Sequence, residues 1–260
     1  MVPRFLLPAL ILVSAALMNG AAAQSGKPTV VLVHGAFAES SSWNGVVAEL
    51  LADGYPVVAA ANPLRGLKSD ADYVSSVVKS VQGPVVLVGH SYGGSVISNV
   101  HGDGKVKAHV YVAAFALEQG ESTVEMSNRF PGGTLGPTLA APVALADGGK
   151  DLYIQQDKFN AQFAADVPAR QARLDAATQR PISETALGER SGAPAWKSVP
   201  SWHIYGDADK NIPPAAMKFM AERAGSKETV VLKGASHVPQ VSQPKAVAAI
   251  IKRAATAGGA

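Results

Sequence analysis

Short apolar runs rich in β-branched residues recur along this chain and predict buried β-strands. Each run is continuous rather than alternating with polar residues, which is typical of strands covered on both faces. Six such runs are predicted as strands: Thr29–Val33, Pro56–Ala60, Val85–Val88, His109–Ala113, Ser201–Tyr205 and Thr229–Leu232. Helical patterns separate them. This alternation predicts an α/β fold, with a mostly parallel sheet of about six strands and helices on both faces.

Apolar side chains at helical spacing define three helices of the predicted core. The first runs from Trp43 to Leu51, the second from Val74 to Val81, and the last begins at Pro244. Serine residues before the first helix and Asp70 before the second are candidate caps, and proline is common at the first position of a helix. These apolar faces are interpreted as core.

The stretch of residues 117–200 interrupts the strand and helix rhythm and is rich in Gly, Pro and Ala. It contains shorter helical pieces at Asp157–Ala165 and Ala169–Thr178. Because the strand pattern resumes at Ser201, we interpret residues 117–200 as a lid inserted into a core formed by residues 24–116 and 201–260. A linker between two domains is the alternative, but the remainder of the chain is too short for a second domain.

The first 23 residues resemble a signal peptide. Arg4 supplies a positive start, Phe5–Met18 is apolar, and Ala21–Ala23 offers the small residues that a signal peptidase accepts. A membrane anchor is the alternative, but the apolar run is shorter than the roughly 20 residues that span a bilayer. We therefore expect cleavage near Ala23, a mature protein from Gln24 that is exported to the periplasm or secreted, and no stable membrane insertion.

Composition removes several classes of function. The 260 residues include no cysteine, which excludes disulfides, thiolate metal sites and a cysteine nucleophile. The formal net charge is +3, and no Lys/Arg cluster of the kind that follows a phosphate backbone is present. Nucleic acid is therefore not expected as a partner. Hydrophobic residues make up 47% of the chain, enough for a substantial core, while nothing in the sequence indicates an oligomeric state.

The segment Gly89–Gly94 carries the strongest chemical signal. It has the form G-x-S-x-G-G, follows a predicted strand directly and precedes a helical run that starts at Ser95. A serine nucleophile needs a sharp strand-to-helix turn that lifts its hydroxyl clear of the sheet, and the flanking glycines permit that crowded backbone. The alternative is a glycine-rich turn with a bystander serine. We predict that Ser91 is the nucleophile.

A serine hydroxyl needs a general base, and His237 is the candidate. It lies in Gly234–Pro239, directly after the last predicted strand, where a loop can return it to the serine. The other five histidines lie in motif turns or in scaffold elements, where structural roles are the simpler explanation.

The carboxylate that orients the histidine is expected just past an earlier strand. Two aspartates compete in Tyr205–Pro213. We assign Asp209 as the acid, with Asp207 and Glu118 as alternatives, because Asp207 is well placed to hold the turn by accepting backbone N–H groups.

An oxyanion hole and a pocket complete the predicted site. One donor is normally the N–H of the residue after the nucleophile, here Tyr92, and the second is expected from the turn after the first strand, with Ala36 preferred over Phe37. The pocket walls are predicted to include the apolar residues near these motifs and in the lid: Phe37, Tyr92, Phe115, Phe159, Phe163, Trp196 and Val238.

With these motifs in this order, the chain resembles the α/β-hydrolase superfamily over essentially its whole mature length. In that family's G-x-x-D-x-x-x-P turn the carboxylate is the triad acid, which the resemblance places at Asp209. Within the superfamily the chain looks most like the branch of plant methyl-ester esterases and hydroxynitrile lyases, because a segment like Val112–Phe115 followed by an acidic loop also occurs there.

Two departures from the lyases of that branch favour an esterase. The lyases have threonine where this chain has Gly35, and lysine just after the catalytic histidine, where this chain has Val238. The family's first two strands have no counterpart between Gln24 and the strand at Thr29, so we expect a core of six strands rather than eight.

These features predict serine-dependent hydrolysis of a small, partly hydrophobic carboxylic ester through an acyl-enzyme intermediate. No cofactor or metal ion is expected, because the sequence has no G-x-G-x-x-G, no phosphate-binding loop and no H-E-x-x-H. Lactonase, perhydrolase or lyase chemistry on the same residues is the alternative within the fold. A non-catalytic ligand-binding protein that retains the fold is the alternative from another class.

Overall fold

The computed structural model describes residues 26–257. The predicted signal peptide, residues 1–23, lies outside the described residues. Within residues 26–257, no helix is both long and apolar enough to cross a membrane.

Strands in the described part of the chain form two separate sheets. They are β1 (Thr29–Val33), β2 (Val57–Ala60), β3 (Val85–His90), β4 (Val106–Val112), β5 (Val143–Ala144), β6 (Lys150–Leu152), β7 (Ile182–Ser183), β8 (Ser201–Gly206) and β9 (Glu228–Leu232). The large sheet has the order β2-β1-β3-β4-β8-β9, and every neighbouring pair is parallel. The predicted six-stranded parallel sheet is confirmed. The small sheet, β5-β6-β7, is antiparallel.

Helices cover both faces of the large sheet, as predicted. Those in residues 26–257 are α1 (Asn44–Ala52), α2 (Leu67–Ser80), α3 (Tyr92–Ser98), α4 (Thr123–Arg129), α5 (Gln156–Phe163), α6 (Ala169–Ala177), α7 (Glu184–Gly188), α8 (Pro214–Arg223), α9 (Pro239–Ser242) and α10 (Pro244–Ala257). Side chains of β1 alternate between two cores: Val30 and Leu32 face α1 and α10, whereas Val31 and Val33 face the core that includes α2, α3 and α8. Continuous apolar strands are therefore required, because both faces are buried.

The segment between β4 and β8, residues 117–200, contains α4 to α7 and the small sheet and is called the cap segment below. Charged groups attach it to the core. The guanidinium of Arg65 donates to Asp151 at 2.6 Å, and the Glu189 carboxylate accepts the Leu67 N–H at the start of α2 at 2.6 Å. These contacts hold the cap segment against the loop that leads into α2.

Two buried histidines, His109 in β4 and His203 in β8, make the fold sensitive to acid. Within the described residues, neither ring nitrogen of His109 has a hydrogen-bond partner, and Nε2 of His203 has none either. The His203 ring stacks on Tyr111, with the ring centroids 4.6 Å apart. Burial lowers the pKa of each histidine to about 3. Both side chains are therefore neutral in the folded protein at any pH near neutrality.

Acidification is expected to destabilise the protein through these two groups. An unfolded histidine takes up a proton near pH 6.5, whereas the folded one does so only near pH 3, so the stabilisation is complete above pH 6.5 and is lost as the pH falls towards 3. Each histidine should cost about 2 kcal/mol of unfolding free energy between pH 8 and pH 5. In urea titrations, His203→Phe should lose about 2 kcal/mol less than the parent over this interval. Equal losses would show that His203 is not the source.

Candidate active site

Ser91 lies at the sharp turn between β3 and α3. Its backbone has φ 53° and ψ −124°, a conformation that residues other than glycine rarely adopt. The turn is closely packed by glycine, because a Cβ added to Gly89 would lie 2.5 Å from the Gly93 carbonyl oxygen, and one added to Gly93 would lie 2.4 Å from that of Val33. The glycines around the serine therefore leave room for the backbone itself, and the turn presents the Ser91 hydroxyl beyond the end of the sheet.

Ser91, His237 and Asp209 form a continuous hydrogen-bonded chain. The Ser91 Oγ lies 2.8 Å from Nε2 of His237, and Nδ1 of the same ring lies 2.6 Å from Oδ2 of Asp209. His237 and Asp209 are buried, and Ser91 is 7% exposed. Ser91 and Asp209 are 118 positions apart in the sequence, and Asp209 and His237 are 28 apart. The loops after β3, β8 and β9 bring the three residues together.

The second oxygen of Asp209 is held by its own turn. Oδ1 accepts the backbone N–H groups of Asn211 at 2.8 Å and Ile212 at 3.0 Å, which leaves Oδ2 directed at the histidine. The alternative acids lie elsewhere: Asp207 accepts the Gly234 N–H at 2.6 Å, and Glu118 pairs with Lys197 at 2.7 Å. Only Asp209 of these three contacts His237.

His90 is a second buried imidazole, and it lies beside His237. Its Nε2 lies 2.9 Å from the His237 carbonyl oxygen, and the two rings are 5.0 Å apart. A carbonyl can only accept, so Nε2 of His90 carries a proton and donates it. Burial, with a further contribution from His237, lowers the pKa of His90 well below its ordinary value. His90 thus anchors His237 as a neutral group, a role that the sequence did not reveal because His90 reads there as part of the turn motif.

Two backbone N–H groups, those of Tyr92 and Ala36, are candidates for the oxyanion hole. Tyr92 is the first residue of α3, so its N–H has no acceptor within that helix, and the Ala36 N–H makes no hydrogen bond to another group of residues 26–257. The Phe37 N–H, by contrast, donates to the Arg180 carbonyl at 3.0 Å. Of the two predicted donors from this turn, Ala36 is therefore the one that is available.

A cavity of about 350 Å³ opens beside these groups. Its wall includes Ala36 and Ser91 together with Tyr92, Phe37 and Phe115, as predicted for the last three. The cap segment contributes much of the remainder, which the sequence did not indicate: Thr123, Ser127, Asn128, Leu135, Leu139, Leu152, Glu184 and Leu187. The wall is mainly apolar, and within the described part of the chain Glu184 is the one Asp, Glu, Lys, Arg or His residue on it.

Four residues predicted for the pocket wall do not line this cavity: Phe159, Phe163, Trp196 and Val238. Trp196 does not line the cavity: its indole N–H donates to the Leu117 carbonyl at 3.0 Å, and its ring lies beside the Arg223 guanidinium, 5.9 Å away. The prediction for Trp196 is wrong, because its ring lies beside Arg223 of α8 and is absent from the wall of the cavity. Val238 lines a separate space of about 30 Å³ with Phe159 and Phe163. Phe37 contacts both spaces.

No group of three or more His, Asp or Glu side chains suited to holding a metal ion occurs within residues 26–257.

Known proteins with similar sequences include hydrolases from plants and bacteria. A putative chloroplastic methylesterase 11 of Arabidopsis thaliana is 26% identical over 242 residues, which cover 84% of this chain and 61% of that protein. A pyrethroid hydrolase of Sphingobium wenxiniae is 25% identical over 249 residues, covering 85% of each chain.

Solved structures with the same fold include polyneuridine aldehyde esterase. It superposes with a TM-score of 0.74 at 18% identity and covers 87% of this chain and 98% of its own. The resemblance to the branch with plant esterases is confirmed. The profile of the "Alpha/beta hydrolase family" matches residues 30–250, which is most of the chain. The protein is therefore a member of the alpha/beta hydrolase family.

Proposed function

We propose that this protein hydrolyses a small, partly hydrophobic carboxylic ester through an acyl-enzyme formed on Ser91. The observation that carries the proposal is the hydrogen-bonded series Ser91–His237–Asp209, with contacts of 2.8 and 2.6 Å, in which Ser91 lies on the wall of a mainly apolar cavity. The free N–H groups of Ala36 and Tyr92 on the same wall are the second support. A nucleophile, a base, an orienting acid and an oxyanion site are the parts that acyl transfer requires.

In the first half of the reaction, Ser91 Oγ attacks the ester carbonyl carbon and its proton passes to Nε2 of His237. The carbonyl oxygen becomes an oxyanion, which accepts the N–H groups of Ala36 and Tyr92. Asp209 stabilises the imidazolium through Nδ1 and remains ionised. The tetrahedral adduct then collapses: the bond to the alcohol oxygen breaks, that oxygen takes the proton from His237, and an acyl ester remains on Ser91.

In the second half, water replaces the alcohol. His237 takes a proton from the water as its oxygen attacks the acyl carbon, and the oxyanion forms again at the same two N–H groups. Collapse breaks the bond to Ser91 Oγ, which recovers its proton from His237, and a carboxylic acid leaves. Because His90 beside His237 is neutral, no second buried cation opposes the imidazolium in either half.

The lining of the cavity supports a largely apolar ester. Leucine and phenylalanine side chains make up much of the wall, and no lysine, arginine or histidine of the described residues lies on it to pair with an anionic substrate. The names of the relatives, a methylesterase and a pyrethroid hydrolase, are consistent with esters of this kind. These names support a carboxylic ester as the substrate class, and the cavity supports its partly hydrophobic character.

Local structure favours hydrolysis over lyase chemistry. A Cβ at position 35 would lie 2.6 Å from the Ser91 Cβ and 2.7 Å from the His90 carbonyl oxygen, so this backbone has no room for the threonine of the related lyases. The residue after His237 is the buried Val238 rather than their lysine. The threonine and the lysine that characterise the related lyases are therefore both missing from the residues around Ser91.

The proposal is tested by trapping the acyl-enzyme. Protein starting at Gln24 should release p-nitrophenol from p-nitrophenyl acetate and butyrate with an initial burst, and a fluorophosphonate should add once, at Ser91, by intact mass. Ser91→Ala should lose the adduct, whereas Ser95→Ala, which removes a buried hydroxyl one turn along α3, should retain it. Parent protein that neither turns over an ester nor labels would overturn the proposal and favour a ligand-binding protein.

A further inference from the structure

The side chain of Tyr92 makes a hydrogen bond that the proposed reaction does not use. Tyr92 is 1% exposed, and its phenol O–H donates to Oδ2 of Asp70 in α2 at 3.0 Å. The backbone N–H of the same residue is the first of α3, and Tyr92 is one of the residues that line the cavity beside Ser91. One residue therefore joins a buried hydrogen bond between α2 and α3 to an N–H of the proposed oxyanion hole.

Asp70 is a fully buried carboxyl group, and no Lys or Arg side chain within residues 26–257 bonds to it. Its Oδ1 accepts the Arg65 backbone N–H at 3.1 Å, but the Arg65 guanidinium extends away, to Asp151 and to the Pro181 carbonyl. Burial raises the pKa of Asp70, and the hydrogen bonds from the Arg65 backbone N–H and the Tyr92 hydroxyl oppose this effect. Burying a carboxylate is costly unless it is hydrogen-bonded, so the Tyr92 hydroxyl is one of the few groups that make Asp70 tolerable in the core.

The backbone next to Tyr92 needs external support. Ser91 has φ 53° and ψ −124°, a strained conformation that persists only when its surroundings hold it. Gly89 and Gly93 allow the turn to form, but glycine does not hold a backbone in place. The bond from Tyr92 to Asp70 is a side-chain constraint that acts directly on the residue after Ser91.

We propose that Asp70 is a positioning residue for the oxyanion hole: by accepting the Tyr92 hydroxyl, it fixes the first residue of α3 and thereby the direction of the Tyr92 N–H. The inference rests on the proposed function, since the N–H matters only if an oxyanion forms there. Asp70 also holds the Arg65 backbone, and the Arg65 side chain bonds the cap segment at Asp151. Asp70 thus lies between the cap segment and the oxyanion donor without touching the substrate.

The test compares Tyr92→Phe and Asp70→Asn with Tyr111→Phe. The control removes another buried phenol hydroxyl, which lies 2.9 Å from Ser98 at the far end of α3. Complete loss of an oxyanion donor typically costs 10²–10³-fold in kcat, so a misdirected one should cost about tenfold. Tyr92→Phe and Asp70→Asn should each lower kcat on p-nitrophenyl butyrate about tenfold with KM within about threefold, and Tyr111→Phe should stay within about twofold of the parent.

Two further measurements separate positioning from general loosening of the fold. The double variant should be about tenfold slower rather than a hundredfold, because both changes act on one interaction. Tyr92→Phe removes the hydroxyl, whereas in Asp70→Asn the amide oxygen takes the Arg65 N–H and an NH₂ group replaces the acceptor that held the hydroxyl. A trifluoromethyl ketone, whose adduct with serine carries an oxyanion, should bind both single variants about tenfold more weakly and Tyr111→Phe as tightly as the parent.

Equal kcat for Tyr92→Phe and Tyr111→Phe, or additive losses in the double variant, would overturn the role of Asp70. If Tyr92→Phe does not fold, Asp70→Asn alone decides the question through kcat and inhibitor binding. Hydrolysis that survives Ser91→Ala in the same assay would instead overturn the proposed function, so the two failures give different results.

Discussion

Ser91→Ala and His237→Ala are each expected to lower kcat/KM for p-nitrophenyl butyrate by about 10⁴-fold or more, and the double variant should be no slower than the slower single variant. The reason is that His237 acts through Ser91: its Nε2 takes the proton of the Ser91 hydroxyl 2.8 Å away, and its later proton transfers all depend on the adduct formed at that oxygen. Without the hydroxyl there is no proton to take, and without the imidazole the hydroxyl stays a weak nucleophile. Steady-state kinetics of the three variants check this.

A buried histidine outside the site supplies the control. His203→Phe at pH 8 removes an imidazole that stacks on Tyr111 within the sheet, and its kcat/KM should stay within about threefold of the parent. Strictly additive losses for Ser91 and His237 would mean that the two residues act independently, which the proposed proton transfer does not allow.

Asp209→Asn is expected to lower kcat by about 10³–10⁴-fold while the protein stays folded. The backbone N–H groups of Asn211 and Ile212 donate to Oδ1, so the oxygen of the new amide should take that place and its NH₂ group should face Nδ1 of His237. Nδ1 then becomes an acceptor, the ring proton moves to Nε2, and the ring cannot accept a proton from Ser91. Initial rates and a thermal melt of the same preparation test both parts.

The two alternative acids are the matched controls for this prediction. Asp207→Asn keeps an oxygen that accepts the Gly234 N–H, and Glu118→Gln removes only a surface pair with Lys197. Both should keep kcat within about twofold of the parent, since surface ion pairs contribute little. A larger loss for Asp207→Asn than for Asp209→Asn would reverse the assignment of the acid.

Much of the fold could be predicted because its strands are buried on both faces. A strand such as Thr29–Val33 is apolar at nearly every position, and its bounds agree with the prediction. The prediction for β3 ended too early, because Gly89 and His90 read as part of a turn although they still pair with Tyr111 and Val112. The small sheet was missed, since strands of two or three residues are too short for a periodic pattern.

The site was predictable where chemistry restricts the residue type. Ser91, His237 and Asp209 each follow a strand that ends at the same edge of the sheet, so their order and spacing place them together. The pocket wall has no such restriction. In the sequence, Thr123 and Asn128 look like the solvent face of a helix, although both line the cavity. Nor does the sequence distinguish an aromatic ring that packs against a core helix, such as Trp196, from one that lines the cavity.

The hydrogen bond from the Phe37 N–H to the Arg180 carbonyl has a consequence for engineering. It comes from the cap segment, and the Arg180 side chain also pairs with Glu39, 3.1 Å away, in the core. A chimera that receives the cap of another hydrolase to change its substrate range would lose this carbonyl unless the graft presents one at the same place. Without this hydrogen bond, the turn that contains Ala36 and Phe37 would lose its attachment to the cap segment. Exchange of the cap should therefore begin and end so that residues 179–181 are retained.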